Sequence, residues 1–331
     1  MSLKAAETPF ASMQQVPASW RLLDDSELME LPDPEFTIDG ILARRSRTVI
    51  YGPPGSCKTT LAAGLMVSVT TGRKWFGHEV CHCGPCCYVA AEDVAGFKVR
   101  LRAAKVAAGL PLTSAIGVYT FPEPIDLRDG VGINSFIRFV SQTDVAMELV
   151  VIDTYAGATP GAAENSSEDT TVAMNAAAKI QADLRCGVVL IHHTNAGGTR
   201  ERGHSSMRGA ADTMISVTPV DDVIHVECSK QRNAAPFETF TLKLTPVPDV
   251  GGVVVRLAAE VLPSSALTPL QEKVLAALRE TATSRGVTKG EWQKCCQDVA
   301  ERSFYRAAKV LEDTGHVTRA GTHFCVGGRS E

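Results

Sequence analysis

From residue 47 to residue 191 the chain alternates short apolar runs with longer segments of helical period. The runs at 47–51, 86–90, 116–120, 148–152 and 187–191 read as strands. Those at 148–152 and 187–191 are nearly continuous in Val, Leu and Ile, as strands buried on both faces of a parallel sheet must be. Between the runs, 58–70, 96–108, 132–143 and 168–184 carry the apolar spacing and alanine content of helices. After residue 220 the pattern changes. Segments 222–228, 237–244 and 252–257 read as strands with no helix between them. The expected fold class is α/β: a doubly wound, mostly parallel sheet with an antiparallel extension.

The last part of the chain has its own pattern. Residues 263–267 form a Pro/Ser linker. Thr268 then caps a helix with Pro269 at its first position. Helices follow over 270–281, 289–299 and 301–314, then a β-ribbon over 315–327 that turns at Gly321. Three helices and a ribbon predict a small C-terminal winged-helix domain. The expected division is an arm (1–30), a main domain (31–262), and linker plus winged helix (263–331). The arm holds Trp20 and scattered acids and could link subunits.

Composition narrows this modestly. The chain has 331 residues and a formal net charge of -4, so any contact with nucleic acid must be local. No apolar run approaches the ~18 residues a membrane helix needs. The first fifteen residues lack an apolar signal core, so a cytoplasmic protein with free thiols is expected of the ten cysteines. Cys81, Cys83, Cys86 and Cys87 are too crowded to face one ion, because strand neighbours alternate faces. No second ligand pair follows at zinc-finger spacing, so a cysteine-rich hairpin is preferred to a zinc site.

The chemistry starts at VIYGPPGSCKTT, residues 49–60. Gly52, Pro53, Pro54, Gly55, Ser56, Cys57, Lys58, Thr59 and Thr60 lie where a strand gives way to a helix. The arrangement is that of a phosphate-binding loop, whose backbone N–H groups wrap phosphates at a helix N-terminus. Lys58 is expected to reach the β- and γ-phosphates of ATP, and Thr59 to hold Mg²⁺. Cys57 stands where the pattern calls for glycine, and Gly55 supplies part of the lost freedom. Ligands in such a sheet bind beyond the carboxyl ends of the strands. Asp153 ends one strand and suits a second Mg²⁺ contact. Glu92 follows another and suits activation of a water. His192 and His193 end a third, pointing to opposite faces. Singly, these residues also read as a cap, an exposed carboxylate and a packed or zinc-ligating pair; downstream of a phosphate loop they read as a catalytic set.

The stretches GPPGSCKTTLA, YVAAED, VVIDTYAGATPGAAENSSED, VLIHHT, SSMRGAADTMISV and SKQRNA resemble the RecA-like ATPases. Within these they resemble the RepA-type hexameric replicative helicases of plasmids and phages. The resemblance covers about residues 31–257, in family order. It implies an ATP- and Mg²⁺-dependent, ring-forming homo-oligomer acting on single-stranded DNA, with Glu92 as hydrolytic carboxylate and His193 coupling hydrolysis to a DNA loop. It also implies that Lys230 and Arg232 reach the γ-phosphate of an adjacent subunit, as an arginine finger does. The basic loop 197–208 takes the family's DNA-binding position, with Arg200, Arg202, His204 and Arg208 as contacts; Arg208 has a structural alternative. The acidic loop 157–167 is expected to relay nucleotide state. The chain departs from the family at Cys57 and at 195–198, which lack the usual lysine. In the C-terminal module Ser303, Tyr305, Arg306 and Lys309 face either DNA or a replication protein. The alternative function is a non-translocating DNA-binding ATPase, a loader or regulator. A phosphate-loop kinase is weakest, since no acceptor pocket is evident.

Overall fold

The computed structural model describes residues 21–163, 166–195, 201–259, 267, 269–281, 286–313 and 316–326. Trp20, Glu164, loop residues 196–200 with Arg200, linker residues 263–266 and the Thr268 cap lie outside the described residues.

A short helix, α1 (Asp25–Met29), precedes a hairpin of β1 (Phe36–Ile38) and β2 (Leu42–Ala43). The main domain then runs β3 (Arg47–Gly52), α2 (Lys58–Thr71), β4 (Cys86–Ala90), α3 (Val94–Ala107), β5 (Val118–Phe121), α4 (Gly130–Ser141), β6 (Leu149–Asp153), α5 (Ser167–Leu184), β7 (Gly187–His193) and α6 (Ser206–Ala210). Four strands complete it: β8 (Thr213–Val220), β9 (Val223–Gln231), β10 (Phe240–Val247) and β11 (Gly252–Leu257). They form a nine-stranded sheet in the order β11-β10-β9-β8-β3-β7-β6-β4-β5. From β8 to β5 every pairing is parallel; from β8 to β11 every pairing is antiparallel.

Side-chain alternation builds two cores from one sheet. Ile50, Tyr88, Val151 and Ile191 pack on one face with Leu61 and Met66 of α2 and Phe97 of α3. Val49, Val89, Ile152 and Leu190 pack on the other with Ile133 and Phe136 of α4 and Met174 of α5. Cys86 and Cys87 are buried on opposite faces of β4, while Cys81 and Cys83 are exposed. Burial pushes the Cys87 thiol up to about 11.

The sheet corrects the expected pattern at one central place. β8 was not anticipated as a strand, yet it lies beside β3 and joins the parallel and antiparallel parts. Its sequence, TMISVTPV, alternates weakly and holds a proline. Pro219 sits near the exposed end, where its missing N–H costs little. α3 and α4 each start two residues earlier than expected because Asp93 and Asp129 cap them, their carboxylates accepting from Gly96 N–H and Val131 N–H.

The C-terminal part contains α7 (Pro269–Thr281), β12 (Val287–Thr288), α8 (Lys289–Lys294), α9 (Glu301–Asp313), β13 (Val317–Ala320) and β14 (His323–Val326). α8 stops five residues short of the expected end, and β12 is an added strand in the sheet β12-β14-β13. Val274, Leu278, Trp292, Phe304, Leu311 and Phe324 make a core of their own, with Trp292 Nε1 donating to Val274 O at 2.8 Å.

Candidate active site at the carboxyl ends of the parallel strands

β3, β7, β6 and β4 are neighbours, and their register decides what meets at their ends. Gly52 pairs with His193, Ile191 with Asp153, and Asp153 with Ala90, two residues before Glu92. The residues expected after four separate strands therefore converge. Gly55, Cys57, Lys58, Thr59, Thr60, Glu92, Asp153 and His193 line one open cavity of about 540 Å³.

The phosphate loop is shaped by close approach. A β-carbon on Gly52 would lie 2.2 Å from the carbonyl oxygen of Val217 on β8 and 2.6 Å from Ser56 Oγ. Glycine is required there because β8 presses against the loop. Gly55 (φ +77°) and Cys57 (φ +67°) both take left-handed backbone. Cys57 is the N-cap of α2, and its side chain accepts no capping bond. The consensus glycine is thus replaced while its conformation is retained. Burial raises the Cys57 thiol above its ordinary range against the opposing charges of Arg100 and Lys58.

Lys58 is buried, and its ammonium donates to Gly52 O (3.0 Å), Pro53 O (2.9 Å) and Ser56 Oγ (3.3 Å). Burial lowers its pKa, while Asp153, Cys57 and Glu92 oppose that shift. Thr59 Oγ1 donates to Asp153 Oδ2 at 2.6 Å, and Tyr88 OH donates to the same oxygen at 2.9 Å. Burial raises the Asp153 pKa, with these two hydrogen bonds working the other way. Glu92 is exposed at the cavity edge and accepts from Thr154 Oγ1 at 2.5 Å. His193 has its pKa lowered by burial and then by Lys58. Its Nδ1 has no hydrogen-bond partner among the described residues. His193 also lines a second cavity of about 210 Å³, with Tyr155, Thr159, Asp169, His192 and Arg202.

These groups fit a magnesium-bound triphosphate. A hydroxyl and a carboxylate 2.6 Å apart at the head of α2 are hard oxygen donors, which Mg²⁺ prefers. Gly52 lets the loop lie close against β8, and the Lys58 ammonium stands inside the loop. When bound, the ion neutralises charge on the phosphates.

Four further residues contribute: Arg100, Gly251, Gly252 and Tyr88. Arg100 lines the cavity from the second turn of α3, the helix that follows Glu92. Gly251 and Gly252 reach it from the tip of the β10–β11 hairpin. A β-carbon on Gly252 would meet Ala103 Cβ at 2.8 Å, so glycine lets the hairpin lie against α3. Tyr88 belongs to the stretch YVAAED, in which nothing local marks its bond to Asp153.

The expected nucleic-acid and finger residues among those described do not line this cavity. Arg202 N–H donates to His193 O at 2.9 Å, and Arg202 O meets His192 Nε2 at 2.9 Å. His204 Nδ1 lies 3.1 Å from Ser206 N and from Ser206 Oγ. Arg208 is committed to the fold, donating to buried Glu201 (3.2 Å) and to Ser229 O (3.0 Å). Lys230 Nζ donates to Ala211 O at 2.6 Å and to Arg208 O. Arg232 pairs with Asp212 at 2.8 Å and donates to Gly209 O at 2.7 Å.

A family model described as an AAA domain (AAA_25) matches residues 13–199, more than half of the chain. The chain belongs to the AAA domain family. The AAA match takes in the phosphate loop, Glu92, Asp153 and His193. It begins inside the expected N-terminal arm and ends before Lys230 and Arg232. Solved structures similar to this chain include a RadB recombinase, with 20% identity and a TM-score of 0.47 over 64% of this chain and 91% of that one. Another is a KaiC-like protein from Pyrococcus horikoshii, with 16% identity and a TM-score of 0.46 over 68% and 96%. No curated protein matches the chain. The AAA match and the site together make the core a phosphate-loop ATPase domain. No helix among the described residues is long and apolar enough to cross a membrane.

Proposed function

We propose that this AAA protein is an ATP-driven, ring-forming motor on single-stranded DNA, of the replicative-helicase kind. The position of Lys230 and Arg232 carries the reading. Arg232 N–H donates to Asp212 O, and Asp212 N–H donates to Arg47 O, at the amino end of β3. The phosphate loop leaves the carboxyl end of that strand, five residues on, or about 16 Å at ~3.3 Å per residue. The two cations are therefore out of reach of their own phosphate site. A neighbouring copy is the partner they suit, where Arg232 stabilises transition-state charge in trans.

The route from that pair to the cavity is continuous. Lys230 holds Arg208 O and Ala211 O, Arg208 holds Glu201, Glu201 bridges Thr194, and Arg202 N–H holds His193 O. The segment after the 197–200 loop is thus tied to both the finger pair and His193. In this reading Lys58, Thr59 and Asp153 hold the magnesium nucleotide, Glu92 orients water, and His193 passes nucleotide state to the loop.

The test is ATPase rate per subunit across a dilution series, with and without single-stranded DNA, alongside native mass and unwinding of a tailed duplex. The motor predicts a ring, DNA-stimulated turnover that falls on dilution, and strand separation. Turnover independent of dilution overturns trans catalysis. Binding to a defined duplex without unwinding selects the loader or regulator instead.

A further inference from the structure

Tyr88 lies in the middle of β4 and is 2% exposed. Its ring stacks on Phe97 of α3, with centroids 3.5 Å apart and planes 4° from parallel. A buried phenol needs a hydrogen-bond partner, and this one has taken a carboxylate rather than a backbone carbonyl. Oδ2 of Asp153 receives both Tyr88 OH and Thr59 Oγ1, while Oδ1 receives no hydrogen bond among the described residues. The carboxylate torsion is otherwise broad and two-fold. Two donors on one oxygen pin the carboxylate at the wall of the cavity that Asp153 lines. Asp153 is itself 3% exposed, so a charge-assisted bond from the phenol also offsets the cost of keeping it ionised.

Phe97 extends the arrangement. It sits on the helix that begins just after Glu92, and the stack leaves the Tyr88 ring one orientation. The strand that leads to Glu92 thus also holds, through Tyr88, Asp153, the carboxylate that would contact a magnesium ion.

We propose that Tyr88 is a positioning residue for the magnesium site, acting through Asp153, a role that rests on the ATPase reading above. Partners that orient a metal ligand typically contribute 10–100-fold to metal affinity. The loss expected here is about tenfold, at the low end, because Thr59 remains.

The experiment is a Mn²⁺ titration followed by electron paramagnetic resonance, on the full chain with a non-hydrolysable ATP analogue. Fluorescent-nucleotide binding in EDTA runs in parallel. Tyr88→Phe keeps the stack and removes only the hydroxyl. The expected result is Mn²⁺ affinity about tenfold weaker, with metal-free nucleotide affinity close to wild type. Mn²⁺ affinity equal to wild type overturns the proposal. So does an equal loss of nucleotide affinity in EDTA, which marks a general structural role. If Tyr88→Phe does not fold, Phe97→Leu decides: it retains the hydroxyl but frees the ring, and unchanged Mn²⁺ affinity there overturns the proposal. A wild-type chain that binds neither nucleotide nor Mn²⁺ defeats the ATPase reading itself, and Tyr88's role with it.

Discussion

Cys57 permits a sharp test of how the phosphate loop is held. Its backbone is left-handed, φ +67° and ψ 20°, at the N-cap of α2. A β-carbon in that region costs roughly 1–2 kcal/mol. Glycine removes that cost but loses about 0.5–1 kcal/mol more backbone entropy on folding. The thiol also packs partly against the core, so replacing cysteine directly mixes two effects. Comparing Cys57→Gly with Cys57→Ala cancels the second, because both lack the sulfur. The glycine variant should be more stable by about 0.5–1 kcal/mol. That corresponds to a rise in melting temperature on the order of 1–3 °C for a chain of this size. Urea unfolding of both variants, with equal m-values, measures the difference. An alanine variant as stable as the glycine variant would refute the claim that surrounding structure imposes the left-handed turn.

Gly52→Ala should destabilise the chain by at least about 1–3 kcal/mol, since its β-carbon meets the Val217 carbonyl, a backbone group that cannot rotate away. Thermal melting and nucleotide binding should fail together. Arg208→Ala should cost about 1–3 kcal/mol by leaving the Glu201 carboxylate buried without its partner. A variant that weakens DNA binding at unchanged stability in urea would contradict this. The lowered pKa of His193 means this residue adds stability above its ordinary value of 6.5, and the contribution is lost as pH falls from there through the lowered value. His193→Gln should therefore show a shallower decline in melting temperature from roughly pH 7 to pH 5 than wild type. A parallel decline in both proteins would count against it.

The pieces of the candidate site were legible in the sequence because each is local. A loop entering a helix, and a polar residue after an apolar strand, can be read within a few residues, as at Lys58 and Asp153. The strands β3, β4, β6 and β7 were readable for the same reason, being continuous apolar runs. β8 was not, because TMISVTPV becomes a strand only by pairing with β3 on one side and β9 on the other. The amino acids alone therefore determined which groups could carry phosphate chemistry and that an α/β sheet would present them. Tertiary structure decided which of them meet: strand order brings Gly52, His193, Asp153 and Ala90 to one edge, and puts Lys230 and Arg232 at the opposite end. Strand order, the Tyr88 hydrogen bond and the Gly251–Gly252 contact arise between residues far apart in the chain. No local pattern encodes them, because their energies exist only once the sheet has closed.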